Sequence, residues 1–129
     1  MKCLLDTNAL LWIVSNDPRL TAKARKAYES AEEVWFTVVS LWEIAIKLSV
    51  GGFDFELDND WWRSIPAEMS LNGVKRLEIS DSHCREVAVL PFRHRDPFDR
   101  MMIAQARVES LAVITADPQF LAYGVKVVW

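Results

Sequence analysis

Four acidic residues stand where their chemistry could converge. Asp6 closes the apolar run at residues 2–5, Glu43 lies inside "LWEIAIKLSV", Asp99 inside "HRDPFDRMM" and Asp117 inside "VITADPQF". Carboxylates that share one cleft repel one another strongly unless divalent cations neutralise them. Oxygen ligands select hard ions such as Mg2+ or Mn2+, and the few His and Cys near these acids argue against zinc. An ion held this way polarises a phosphoryl oxygen and lowers the pKa of a bound water, so a phosphate ester can be hydrolysed without a protein nucleophile.

Each acid also has a plainer reading. Asp96 as N-cap, Pro97 at the first helical position and Asp99 in the first turn make a well-formed helix start. Asp117 before Pro118 can cap a short helix in the same way, and Asp6 can make an Asx-type cap. Glu43 can pair with Lys47 one turn later. Capping and pairing explain each residue alone. They do not predict convergence, so the two readings separate only on where the chain places the four.

That placement depends on the elements. Residues 2–5 read as a buried strand, and "TNALLWIVSN" follows with Leu10, Leu11 and Val14 on one helical face. Thr21 can cap a second helix, "VWFT" at 34–37 reads as the second strand, and Ser40 can cap a helix with Leu41, Ile44, Ala45 and Leu48 at core spacing. Gly51-Gly52 ends it. Another helix starts near Asn59 or Asp60 and is limited by Pro66. Residues 74–80 read as a third strand, "DSHCREVAVL" as a helix, the stretch after Asp96 as another, "AVIT" at 112–115 as a fourth strand and "VKVVW" as a fifth. Alternating strands and helices imply an α/β fold: a three-layer α/β/α sandwich around a mostly parallel sheet of four to five strands. In such sheets the site lies at the carboxyl ends of the strands, where Asp6 and Asp117 fall.

Composition bounds the remaining possibilities. At 129 residues, 51% hydrophobic and 26% charged, the chain is expected to be one globular domain over 1–129. Cys3 and Cys84 are far apart and are expected to be buried thiols. No signal peptide or membrane span is read, which suggests a soluble, cytoplasmic protein. The net charge of -3 excludes a dominant basic field, so any nucleic-acid contact must be local. Arg93, His94, Arg95 and Arg100 cluster beside the acids, with His94 read as a surface residue and Arg100 as pairing an acid or touching phosphate. Trp12, Trp35 and Trp42 are expected in the core or under a partner, and one of Trp61 and Trp62 is expected to be exposed.

"LLDTNALLW", "SLWEIAIK", "DPFDRMMIAQA" and "VITADPQF", in this order, resemble the PIN-domain ribonucleases, in particular the VapC-type toxins of toxin-antitoxin pairs. The resemblance covers nearly the whole chain and lapses only at residues 51–73. It implies an acidic quartet of Asp6, Glu43, Asp99 and Asp117 holding Mg2+ or Mn2+, with Asn8 and Thr115 supporting the first and last acids and Asp96 as cap or outer support. It implies cleavage of single-stranded or looped RNA, with Arg95 and Arg100 as possible RNA contacts. It also implies a homodimer and an antitoxin lying over the acidic cleft.

Three other readings compete. A housekeeping nuclease of the same fold would lack the antitoxin. An aspartyl phosphatase would use Asp6 as nucleophile, but it needs a second acid two residues on, and position 8 is Asn. A non-catalytic acidic interaction module would not need all four acids.

Overall fold

Strand β1 (Lys2–Leu5) buries Cys3, Leu4 and Leu5 completely because it has a parallel neighbour on each side. In the computed structural model, which describes residues 1–129, those neighbours are β2 (Glu33–Thr37) and β4 (Ala112–Ile114). Strands β3 (Lys75–Leu77) and β5 (Val127–Val128) complete a sheet of order β3-β2-β1-β4-β5. The expected sheet is present, and it is parallel throughout.

Side chains of successive strand residues fall on opposite faces, so the sheet supports two cores. Cys3, Leu5, Val34, Phe36, Ala112 and Ile114 share one cluster with α1 (Thr7–Val14), α2 (Ala22–Ser30) and α4 (Trp61–Leu71). Leu4 and Val113 share the other with α6 (Pro97–Glu109) and the closing 3-10 helix (Pro118–Tyr123). Helix α5 (Asp81–Val89) lies on α6, and α3 (Val38–Val50) spans the sheet edge, giving Val39 to one core and Ile44 to the other.

Several local expectations are corrected. Thr37, not Ser40, caps α3, its Oγ1 accepting from the Val39 N–H at 3.2 Å, so Ser40 lies buried in the first turn. Ala45 and Leu48 are exposed, because the later turns of α3 run past the edge of the core. Pro66 does not end α4, which continues to Leu71. Proline inside a helix costs about 3 kcal/mol, but it orphans only the carbonyl of the exposed Trp62. Burying Ile65 and Met69 returns roughly 1.5–3 kcal/mol each, so packing wins. Cys3 is buried as expected, whereas Cys84 faces solvent on α5. Trp42 and Trp62 are exposed. No helix is long and apolar enough to cross a membrane.

Candidate active site

The strand order reverses direction between β1 and β4, and the chain leaves both strands there into polar residues. Crevices at such switch points, outside the carboxyl ends of the strands, are where α/β sheets hold ligands. The backbone N–H of Asp6 still pairs with the Ile114 carbonyl at 3.2 Å, so Asp6 is held at the last rung of the β1–β4 ladder.

Asp6 serves the local structure as well as the site. Its Oδ1 caps α1, accepting from the Ala9 N–H at 2.8 Å. The residue is 7% exposed, and burial pushes its carboxyl up to about 7. Hydrogen bonds from Thr115 and Ala9 oppose that rise, while the charges of Asp99 and Glu43 add to it. Thr115 is fully buried after β4, and besides its hydrogen bond to Asp6 its Oγ1 accepts from the Asp117 N–H at 3.0 Å. Asn8 makes no hydrogen bond to Asp6. It is exposed on α1 and lines a groove with Lys47, Phe53 and Phe55, because the first helical turn carries it away from the strand end.

Glu43 is buried on α3, where a lone carboxylate would cost several kcal/mol. Two contacts offset that cost. Thr7 Oγ1 donates to Oε1 at 2.6 Å, and Lys47 Nζ meets Oε2 at 2.6 Å. The Thr7 hydroxyl oxygen also lies 3.0 Å from that of Ser40, which explains why Ser40 is needed inside the helix and not at its cap. Lys47 in turn feels the charges of Asp96 and Asp99.

Asp99 completes the acidic group from the first turn of α6. Asp96 caps that helix, its Oδ1 accepting from the Asp99 N–H at 2.9 Å, which leaves the Asp99 side chain free of capping duty. Burial pushes the Asp99 carboxyl up to about 6; a hydrogen bond from His94 opposes the rise, and Asp96 and Glu43 add to it. Asp117 caps the 3-10 helix with Oδ1, accepting from the Gln119 N–H at 2.9 Å. Its Oδ2 lies 3.8 Å from His94 Nε2, which is itself 2.7 Å from Asp99 Oδ2.

Two basic residues depart from expectation. His94 is not a surface residue: its side chain is 11% exposed and sits between Asp99 and Asp117. Arg100 neither pairs with an acid nor reaches outward. It is buried, donating to the carbonyls of Pro91, Val87 and Leu90 and to Tyr123 Oη. Four oxygen acceptors occupy both terminal nitrogens of this buried guanidinium, whereas Arg95 is exposed. The Lys47 pair to Glu43 is the one the i, i+4 spacing suggests, whereas Thr7 and His94 are the contributions least visible in the sequence.

The donor set fits a hard divalent ion. The charges of Asp6, Glu43 and Asp99 reach one another, and ligand atoms of His94, Asp99 and Asp117 lie within 4.8 Å of one another. Burial is the main cause of the raised carboxyls of Asp6 and Asp99, and the neighbouring carboxylates add a smaller push in the same direction. His94, Asp99 and Asp117 carry the ligand atoms with metal-like spacing, and Asp6 and Glu43 lie within charge reach of Asp99.

Comparison with known proteins agrees with this geometry. Among solved structures, VapBC2 from Rickettsia felis bound to a DNA fragment from their promoter superposes with a TM-score of 0.71 at 13% identity, over 98% of this chain and 97% of that one. FitAcB from Neisseria gonorrhoeae gives 0.66 at 19% identity, over 97% and 95%. VapBC-5 from Mycobacterium tuberculosis, of the VapBC family of toxin-antitoxin systems, gives 0.59 at 21%, over 98% and 96%. At such identities these matches establish the fold. A sequence search among curated proteins finds no match. The PIN domain model matches residues 3–126, and the chain therefore belongs to the PIN-domain family.

Proposed function

We propose that this protein is a Mg2+- or Mn2+-dependent endoribonuclease that hydrolyses phosphodiester bonds in single-stranded or looped RNA, and that it acts in the cytoplasm as the toxin of a toxin-antitoxin pair. The observation that carries the reading is the gathering of Asp6, Glu43 and Asp99 within reach of one another's charge, with Asp117 beside Asp99.

The roles follow from the contacts. Asp6, Asp99 and Asp117 would hold the cofactor; helix caps fix the carboxylates of Asp6 and Asp117, and His94 holds that of Asp99. Glu43, held by Thr7 and Lys47, completes the negative field or accepts from an intervening water. When bound, a divalent cation supplies charge neutralisation at the phosphoryl oxygens and activates the attacking water. Arg95 contacts the RNA backbone at the rim, which reconciles an acidic protein with a polyanionic substrate.

The partner reading has its own support. Trp42, Ile46, Leu48 and Val50 leave the outer part of α3 apolar and exposed, as expected of a surface covered by another chain. The similar structure from Mycobacterium tuberculosis is a member of the VapBC family of toxin-antitoxin systems. We assign that surface to an antitoxin or to the second subunit of a homodimer; it disfavours a nuclease that works alone.

A fluorogenic RNA incubated with antitoxin-free protein tests the activity. Cleavage with Mg2+ or Mn2+ that stops on chelation is expected. No metal-dependent cleavage would leave a non-catalytic interaction module as the better reading.

A further inference from the structure

The cleft contains one nitrogen that the carboxylate scheme does not use. His94 Nε2 lies 2.7 Å from Asp99 Oδ2 and 3.8 Å from Asp117 Oδ2. Donor atoms about 2.1 Å from one ion stand about 3 Å apart when adjacent and about 4.2 Å apart when opposed. The three donors, all within 4.8 Å of one another, are close to the spacing that one ion would impose.

The imidazole is also built into its position. The backbone N–H groups of Arg93 and His94 both donate to Tyr123 Oη, at 2.9 and 2.8 Å. Tyr123 is buried and receives Arg100 at 3.3 Å, and Arg100 holds the carbonyls of Val87, Leu90 and Pro91. The loop between α5 and α6 is thus clamped at the residue that offers the nitrogen.

A histidine that merely neutralised Asp99 would need only Asp99. His94 instead stands between acids from two different elements, α6 and the segment after β4. Without an ion the 2.7 Å contact is a hydrogen bond from Nε2 to Asp99; an ion would displace that proton and leave a neutral imidazole, its proton on Nδ1, that adds a lone pair to the cluster without adding negative charge. We propose that His94 is a metal ligand: Nε2 joins Asp99 and Asp117 on the ion, making a mixed nitrogen–oxygen centre that prefers Mn2+ to Mg2+. Imidazole suits first-row transition ions, whereas Mg2+ favours oxygen donors and retains its waters. The assignment rests on the metal-dependent reading above.

Pulsed electron paramagnetic resonance tests it on chelator-treated protein without a histidine tag, reloaded with Mn2+. Wild type is expected to show echo modulation from a directly bound imidazole 14N. His94→Gln is expected to lose that modulation and to bind Mn2+ at least about tenfold more weakly, with Mg2+ affinity changing less than about threefold. His94→Asp, restoring an oxygen ligand, is expected to recover binding without nitrogen coupling. His83, buried against Glu109, is common to all three proteins, so the difference reports on His94. Thermal melts confirm that each variant is folded. Mn2+ binding with no 14N modulation, or modulation that survives in His94→Gln, overturns the assignment while leaving the metal centre intact. A wild type that binds no Mn2+ overturns both.

Discussion

Glu43 and Asp99 are both helix acids that face the same cleft, yet the chain treats them differently. Glu43 has each of its oxygens committed, one to Thr7 and one to Lys47, so its charge is balanced by its own fold. Asp99 meets a histidine that it shares with Asp117, and its carboxyl is pushed up to about 6, while Asp6 beside it is pushed up to about 7. On the proposed reading, an outside cation would sit against Asp6, Asp99 and Asp117, with Glu43 already balanced by its own contacts.

The sharpest way to break this contrast is Asp6→Asn. It removes one ligand without removing the cap, since the amide oxygen can still accept from the Ala9 N–H. We expect RNA cleavage to fall by about 10³-fold or more while the folded spectrum is kept. Full activity in folded Asp6→Asn protein, measured by initial rates, would dismantle the mechanism.

Next in size is the response of stability to pH and metal. Asp6 and Asp99 have carboxyls raised from 3.8 to about 7 and about 6, so the folded chain holds more protons than the unfolded chain between those limits. Their stabilisation is complete below the unfolded value and is lost as pH rises through about 6 to 7. Melting of chelated protein should therefore drop across that window, and Asp6→Asn and Asp99→Asn should flatten the drop. Saturating Mg2+ or Mn2+ at pH 7.5 should restore about 2–3 kcal/mol at a hundredfold excess over Kd. A chelated protein that melts identically from pH 5 to 8 would refute the undercompensated half of the contrast.

Lys47→Met probes the balanced half. It strands Glu43, but Lys47 is half exposed, so we expect a loss of about 1–2 kcal/mol by denaturant titration, less than a fully buried pair loses. It should also tighten divalent binding several-fold, because a competing cation has left. Weaker metal binding in this variant would mean that Lys47 positions Glu43 and does not compete with the ion.

The smallest effect is expected at the rim. Arg95→Ala should weaken RNA binding a few-fold and lower the salt dependence by about one phosphate contact, read from affinity at two or more salt concentrations. An unchanged salt slope would move the substrate path away from Arg95.

Much of this arrangement was legible in the sequence because it is local. Asp6, Thr21, Asp96 and Asp117 each cap the helix that their neighbours announce, and the apolar runs around them became the expected strands. Capping and convergence turned out not to be rivals: Asp117 caps with one oxygen and turns the other toward His94. What escaped is non-local. Thr7 meets Glu43 across 36 positions, and Arg100 meets Tyr123 across 23, separations that leave no periodic trace. His94 escaped for a different reason: it precedes Asp99 by five positions across Pro97, and only the helix start folds it back onto that acid. His83 likewise meets Glu109 across 26 positions while closing a capping box with Ser80.

The most direct test is calorimetric titration of Mn2+ into chelator-treated protein, for wild type and for Asp6→Asn, Asp99→Asn and Asp117→Asn. A single shared centre predicts saturable binding in wild type, and weakening by at least about tenfold in every variant. Wild-type affinity in any one of the three, or no binding in wild type, would contradict a common ion at the ends of β1 and β4.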